Sequence, residues 1–390
     1  MPDDAAADVA NGRPTEPVSN PWADHIDLLR CPISGLPLSL LSETDQRLVN
    51  SEINALARLC RNGAPVRDLV SLPALGSPDL RYIYRIERDI PCLIGALALV
   101  RPDDVDRSTI DRNMESVKQF YDEFGWLDAG AGNTNDAVAF TATTAAASVY
   151  AVGVTKRIGA KLYGGRYLLD AASGFVAPVL VDLSSKFEYR VCVDFSILAL
   201  RRTKDRLGRH ALCILGDLTS LPVASGSVDQ AMSLHTLYHI PPEHQTRAVD
   251  ELVRVTKPRG SVIAVYSWAN APLMNAILSM TVLLGGLRRR VTTARDVERV
   301  DPAVPLYFRP RGREWLAELR QKYKVGLRVA SATNAQFQNA FFKDTPFGRF
   351  MVPLILTLET LFEPVTARFG QYPMFVISTA PTRHLSEAAI

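Results

Sequence analysis

The chain has 390 residues, 47% hydrophobic and 22% charged, which suffices for about two or three domains and excludes global disorder. Lys and Arg number 44 against 41 Asp and Glu, a net charge of +3. So even a balance argues against nucleic acid, or an anionic membrane, as a partner of the chain as a whole. Five cysteines with no CxxC pair argue against a disulfide scaffold and for a reducing, cytoplasmic setting.

Residues 1–22 are rich in Ala, Asp, Pro and Asn without apolar periodicity and predict a disordered tail, with no secretory signal. Residues 23–100 hold apolar runs at 36–41, 82–86 and 93–100, the material of a small α+β module, and 101–106 read as a linker or helix entry. The larger domain is expected over 101–390. Helical spacing at 114–124 precedes short apolar strands at 167–171, 190–193, 211–215, 228–234 and 261–266. Pro241 and Pro242 open a helix with Val249, Leu252 and Val253 on one face, and Lys257-Pro258-Arg259-Gly260 stops it. Two last strands fall at 325–330 and 374–379. Strands alternating with helices require crossovers. The expected fold class is therefore α/β: a Rossmann-like, doubly wound, mostly parallel seven-stranded sheet plus the small α+β module. Insertions near 270–311 and 333–371 are long enough to cap the carboxyl edge of that sheet. The longest apolar stretch, 271–287, is broken by Asn275, Ser279 and Thr281 and falls short of the ~20 residues of a transmembrane segment, so none is expected.

In an open parallel sheet, ligands bind beyond the carboxyl ends of the strands, where the topology reverses. The first strand runs into Asp170-Ala171-Ala172-Ser173-Gly174, the second into Asp194-Phe195-Ser196 and the third into Gly216-Asp217-Leu218; the fourth ends Ser233-Leu234-His235. Small side chains at Ala172 and Gly174 let a ligand approach the backbone. Asp194 follows this loop at about the 20-residue spacing at which an acid meets ribose in nucleotide-binding folds, and one carboxylate can accept from both ribose hydroxyls. Asp217 is placed to accept from an adenine amine, with the Leu218 N–H facing a ring nitrogen. A pyrophosphate site needs G-x-G-x-x-G, whereas residues 172–177 read Ala-Ser-Gly-Phe-Val-Ala, and no GxxxxGK[ST] loop is present. Asp170 beside the loop disfavours phosphate and suits a cationic or zwitterionic ligand. S-adenosylmethionine fits these charges better than NAD or ATP.

These residues carry a family resemblance. Residues 168–174 resemble the first motif, D-x-[GA]-x-G, of class I S-adenosylmethionine-dependent methyltransferases of the type 11 kind. Val193-Asp194-Phe195-Ser196 resembles the ribose-binding V-D-x-S, and Gly216-Asp217 with Leu221-Pro222 resembles the adenine-binding G-D-x-x-x-L-P. Val228-Asp229 with Leu237-Tyr238-His239-Ile240 resembles F-D…L-H-H-I, and the stretch from Glu251 to Gly260 resembles E-x-x-R-V-L-K-P-G-G. Ala172 and Val176 stand where the family often has glycine. The resemblance spans about 114–268. It implies S-adenosylmethionine as cofactor, Asp170, Ala172, Gly174, Asp194, Phe195, Asp217, Leu218 and Ser233 as its binding set, and Tyr121 as an aromatic cover. Asp229, at the start of its strand, is assigned to structure.

Methyl transfer from a sulfonium is an in-line displacement that rewards proximity, alignment and a dry site, and a base is needed only where the acceptor must lose a proton. His235, His239 (one turn on, if the chain is helical there) and Tyr121 are the candidate catalytic residues, with Tyr266 as a further aromatic candidate. A packing or capping role is the competing reading for both histidines. Ser233-Leu234-His235-Thr236 replaces the Asn/Asp-Pro-Pro-Tyr of base-amino methylation. Cys192 and Cys213 sit inside strands rather than as exposed nucleophiles. No oxygen-ligand cluster suggests a metal. The expected function is methyl transfer to a small-molecule acceptor, a hydrophobic one among the options. The alternatives are methylation of RNA or protein, or a cofactor-binding regulatory subunit without turnover.

The stretch from Leu28 to Leu38 and Tyr84-Arg85-Ile86-Glu87-Arg88-Asp89-Ile90-Pro91 resemble a zinc-ribbon-like family of methyltransferase activator subunits. Cys31-x-x-Ser34 and Cys60-x-x-Gly63 keep half of each ligand pair, so a metal-free packing module is expected. The apolar stretch 271–287 before Arg288-Arg289-Arg290, and the apolar helix expected at 350–362 with Pro353 in its first turn, have two readings. One is a lid over a lipid-like acceptor touching a membrane surface; the other is buried cap helices. Leu306-Tyr307-Phe308 places an aromatic pair just before a helix expected over 313–323, with two readings, lining of an acceptor pocket or packing.

Overall fold

The computed structural model describes residues 21–66, 68–107, 117, 119–125, 128–130, 133–134, 144–283 and 307–379. The N-terminal module comprises β1 (Ser39–Leu40), α1 (Glu43–Asn54), β2 (Leu59–Cys60), β3 (Ala74–Gly76), β4 (Ile83–Glu87), β5 (Ile90–Pro91) and β6 (Leu99–Val100). Its strands pair antiparallel in the order β1-β3-β4-β6-β2, with β5 on β4. Ser42 and Asp45 close a capping box that starts α1, which buries Val49 and Ile53 against this small sheet. A short hairpin follows, β7 (Asp128–Gly130) and β8 (Asn133–Thr134).

The larger domain runs α2 (Ala145–Gly159), β9 (Gly165–Ala171), β10 (Phe187–Asp194), α3 (Ile197–Leu207), β11 (Ala211–Leu215), β12 (Val228–Leu234), α4 (Pro242–Val255) and β13 (Thr256–Val265). It continues with α5 (Pro272–Leu283), α6 (Glu314–Lys322), β14 (Lys324–Ser331), α7 (Ala335–Phe341), α8 (Pro346–Leu361), α9 (Glu363–Phe369) and β15 (Tyr372–Ser378). Seven strands form one sheet in the order β11-β10-β9-β12-β13-β15-β14, parallel except for β15, which runs against both neighbours. The chain winds outward from β9 in both directions. The reversal between β9 and β12 opens the crevice where such sheets bind ligands. The central strands are apolar on both faces because both are covered: Leu168, Met232, Ile263 and Met374 meet Ile158 and Leu162, while Ala231, Val262 and Ala264 meet Val249 and Leu252.

The connection from β11 to β12 holds no helix. The sheet face that a crossover helix would cover is covered instead by the N-terminal module: Trp22, Leu28, Leu29, Tyr84 and Leu93 share one core with Leu169, Val191, Val193, Leu212 and Ile214. The module also closes the β11 edge. Cys92 pairs parallel with Leu215, the Leu93 N–H donates to the Leu215 carbonyl at 2.7 Å, and Ala224 N–H donates to Leu28 carbonyl at 2.8 Å. Cys31, expected as half of a ligand pair, has its Sγ 3.2 Å from the Tyr84 hydroxyl. Among the described residues no group of three His, Cys, Asp or Glu side chains gathers to hold a metal.

Several details differ from expectation. Lys257-Pro258-Arg259-Gly260 does not separate helix from strand but lies in the bulged start of β13, where the register shifts between Val228 and Gln230 and Arg259 takes φ +68°. Helix α8 begins at Pro346, because Thr345 caps it by accepting the Gly348 N–H at 3.2 Å and Pro346 suits the first turn. Pro353 therefore falls mid-helix, on the exposed face, where solvent can serve the carbonyl left without a donor. The 114–124 helix is described only in part, as helical residues Val117, Gln119 and Phe120 and a wide turn at Tyr121–Gly125. Of the tail expected over 1–22, residues 1–20 lie outside the described residues, whereas Pro21–Ala23 form a 3-10 turn that buries Trp22 in the main core, which overturns disorder there. The basic Arg288-Arg289-Arg290 also lie outside the described residues.

Candidate active site

Three consecutive strand tips converge on Asp194, the last residue of β10. Its Oδ2 accepts the Gly174 N–H at 2.8 Å and its Oδ1 accepts the Ser196 N–H at 2.9 Å, while its carbonyl accepts the Gly216 N–H at 2.9 Å. One residue thus ties the loop after β9, the start of α3 and the exit of β11. The β9 loop turns sharply: Ala172 sits at φ +54° and Gly174 at φ +53°. Left-handed backbone costs glycine nothing but costs alanine about 1 kcal/mol, so Ala172 is held there by its surroundings. Ser196 caps α3 by accepting the Ala199 N–H, and Phe195 stands half-buried at the same turn.

Two of the expected carboxylates are committed elsewhere. Asp170 is held in a buried ion pair. Its Oδ2 receives Arg190 Nε at 3.0 Å and Nη2 at 2.6 Å, and both residues are buried. Cys192 is the register partner of Asp170 and Arg190 lies two residues earlier, which puts the guanidinium on the same face of the sheet. The charge expected to attract a cationic ligand is therefore already neutralised. Asp217 folds back on its own turn, accepting the Thr219 N–H at 2.7 Å and the Thr219 hydroxyl at 2.8 Å, an Asx turn. Leu218 buries its side chain in the main core.

Ser233, near the end of β12, is fully buried, and its hydroxyl has no hydrogen-bond partner. A buried orphan hydroxyl is costly unless something fills the site. It lies at the sheet's ligand edge, level with the β9 tip.

Tyr121, His235 and His239 come together beyond that edge. The chain there is not α-helical: His235 has φ +61° and Leu237–His239 form a single 3-10 turn, so the one-turn relation expected of the histidines does not hold. His239 is buried, with Nδ1 2.7 Å from the Tyr307 carbonyl. A carbonyl only accepts, so Nδ1 carries the proton and Nε2 the free lone pair. Tyr121 stands edge-on to His239 at 6.3 Å and Phe308 at 6.0 Å. His235 is exposed and meets Tyr372 edge-on at 4.9 Å. Desolvation pushes the buried His239 imidazole down to about 4, and burial pushes the Tyr372 hydroxyl up to about 12. Tyr266 is structural: its hydroxyl donates to Gln245 at 2.7 Å and accepts the Arg311 N–H at 2.7 Å. Asp229 holds the start of β9 through the Arg166 and Tyr167 N–H groups and pairs with Lys257 at 2.6 Å.

Arg190 and Tyr372 are the residues of this region that sequence reasoning missed, whereas Phe308 belongs to the aromatic pair it singled out. Arg190 carried a signal, a charge inside an expected central strand, which must find a partner. Tyr372, the first residue of β15, carried none.

An α/β sheet in this order, with glycine-containing and acidic strand tips at its reversal, is a Rossmann-like fold. Residues 169–264, which run from β9 to β13, match the methyltransferase domain family. An uncharacterized methyltransferase of Mycobacterium sp. (strain JLS) is 39% identical over 70 residues, 18% of this chain and 27% of that relative. The chain thus spans about a quarter of the length of the curated relative it matches. Geranyl diphosphate C-methyltransferase from Streptomyces coelicolor A3(2), crystallised with geranyl diphosphate and S-adenosyl-L-homocysteine, is 10% identical with a TM-score of 0.43 over 69% of this chain and 99% of that one. Haemonchus contortus phosphoethanolamine N-methyltransferase 1, crystallised with phosphoethanolamine and S-adenosylhomocysteine, is 11% identical with a TM-score of 0.44 over 70% of this chain and 50% of that one.

Proposed function

We propose that the chain binds S-adenosylmethionine at the tips of β9, β10 and β12 and transfers its methyl group to a small-molecule acceptor. The observation that carries this reading is Asp194: a carboxylate at the tip of β10 held in place by two backbone N–H groups, at the strand end where an acid meets ribose hydroxyls in nucleotide-binding folds. The buried, unpartnered Ser233 hydroxyl and the left-handed loop at Ala172 and Gly174 suit a ligand laid closely against the backbone. The cofactor supplies an electrophilic methyl carbon on a sulfonium. The chain's own part is to orient, to exclude water and, where the acceptor needs it, to take a proton. Tyr121, His235, His239, Phe308 and Tyr372 make a largely apolar wall, whose bases among the described residues are the two imidazoles. His239 Nε2 is the fixed acceptor, because the Tyr307 carbonyl holds its tautomer. An apolar wall with no committed cation suits an uncharged, hydrophobic acceptor.

Asp194→Ala tests this reading. Affinity for S-adenosylhomocysteine should fall by roughly tenfold or more, since a charged hydrogen-bond acceptor is lost. Unchanged affinity in calorimetry would remove the ribose role and the function with it.

A further inference from the structure

Helices α8 and α9 form the outer wall of the cap between β14 and β15, and their inner side is firmly anchored. Glu359 is buried, accepts from Tyr150 at 2.5 Å and from the Ala332 N–H at 2.6 Å, and pairs with Arg157 at 3.0 Å. Leu356 packs against Gly153 of α2, where a Cβ would meet its side chain at 2.7 Å. The opposite side has no such cover among the described residues. Phe347, Phe350, Leu358 and Leu361 follow one helical stripe, and Phe362, Val365 and Phe369 continue it on α9 after a 99° bend. Phe347, Phe350 and Leu361 are 61%, 62% and 69% exposed. This density of exposed aromatic and aliphatic side chains on one face marks an interaction surface.

Its charges are one-sided. From Phe347 to Phe369 the only charged side chains classed as exposed are Arg349 and Arg368; Glu359 is buried and Glu363 pairs with Arg328 at 3.5 Å. The stripe ends at a cleft of about 340 Å³ whose lining includes Arg313, Arg320, Arg368 and Trp268 and contains no carboxylate. Arg313 stacks 5.2 Å over Phe369, so stripe and cleft are continuous. Nearby acids are committed: Glu314 accepts the Gly312 N–H at 2.8 Å and Glu318 pairs with Arg311 at 2.7 Å. Burial, and then repulsion from Arg368, lowers the Arg313 pKa against the opposing pull of Glu314, and Arg313 donates to the Arg368 and Asn270 carbonyls at 2.6 and 3.0 Å. No single described helix is long and apolar enough to cross a membrane.

We propose that α8 and α9 dock on an anionic phospholipid surface, the Phe347-to-Phe369 stripe entering the interface and the arginine cleft at its end taking a lipid phosphate. Aromatic and leucine side chains on one face beside arginines are the arrangement of helices that lie in a headgroup region. This assignment is independent of the reading of the strand-tip site.

The test is co-sedimentation of the full chain with phosphatidylcholine vesicles and with vesicles containing phosphatidylglycerol. Binding to the anionic vesicles only, weakened by salt, is the expected result. Arg349→Glu and Arg368→Glu should each lower the partition by at least about fivefold. Phe350→Ser with Leu361→Ser should lower it by more than about tenfold, with an unchanged unfolding midpoint because both side chains are exposed. No binding to anionic vesicles, or equal binding by the Phe350→Ser, Leu361→Ser variant, would overturn the proposal. Calorimetric binding of inorganic phosphate without vesicle binding would assign the cleft to a soluble anion and overturn it. So would a dimer in light scattering that Leu361→Ser dissociates, because the stripe would then be an interface between copies.

Discussion

Replacing Asp170 with leucine separates a structural from a ligand-binding role at the first strand tip. The side chain is close in shape to the original, but Arg190 then stands fully buried with no anion, having lost contacts at 2.6 and 3.0 Å and keeping only the Leu180 carbonyl at 2.8 Å. Removing one partner of a buried pair costs about 3–5 kcal/mol, whereas replacing both with apolar residues of similar volume is near neutral. Asp170→Leu should therefore lose about 3–5 kcal/mol in equilibrium urea unfolding, and Asp170→Leu with Arg190→Met should recover most of it. S-adenosylhomocysteine affinity of the double variant should stay within a few fold of the parent. A single variant costing under about 1 kcal/mol would refute the buried-pair reasoning. A stable double variant unable to bind would return Asp170 to the binding set.

Three further outcomes follow from the site. Ala172→Gly should stabilise the chain by about 0.5–1 kcal/mol in urea unfolding, because φ +54° suits glycine; a loss of stability would mean that the methyl group packs usefully. Ser233→Ala should stabilise the ligand-free chain by about 1 kcal/mol while weakening S-adenosylhomocysteine binding, whereas a clear destabilisation would show that the hydroxyl is satisfied. His239 has a folded pKa near 4, below its ordinary 6.5, so the folded state binds fewer protons; the associated stability is present above about 6.5, declines as pH falls and is gone below about 4. That is about 3 kcal/mol across the window, and His239→Gln should flatten this part of the pH–stability curve; parallel curves for the two proteins would contradict a buried neutral imidazole.

The seven strands were legible because buried parallel strands read as apolar runs of fixed length, and their tips were legible because ligand chemistry in such sheets has a fixed location. What lay beyond reach was the direction each tip side chain takes. Asp170 and Asp194 look alike in sequence, yet register sets Arg190 beside the first and leaves the second to backbone N–H groups. Asp217 was in part readable, since Thr219 two positions on offers the Asx turn that captures it. The start of α8 was readable from Thr345-Pro346, a cap followed by a first-turn proline, which outweighs Pro353 as a boundary signal. The aromatic contacts of the histidines were readable only in part: the Tyr307-Phe308 pair stood out in sequence, whereas Tyr372 meets His235 across more than a hundred intervening residues.

The N-terminal module belongs to the same physical argument as the site. A β11–β12 connection without a helix leaves Leu169, Val191, Val193, Leu212 and Ile214 without a cover of their own, and Trp22, Leu28, Leu29, Tyr84 and Leu93 supply it. The Leu93 N–H grips the Leu215 carbonyl, and the next residue, Gly216, donates to the Asp194 carbonyl at 2.9 Å. A chain of two backbone hydrogen bonds therefore runs from the module to Asp194, the residue proposed to hold the ligand. The module that buries the open face also fixes the edge strand whose exit donates to Asp194, so the sheet and its proposed ligand edge are held together by residues 21–100 and the central strands.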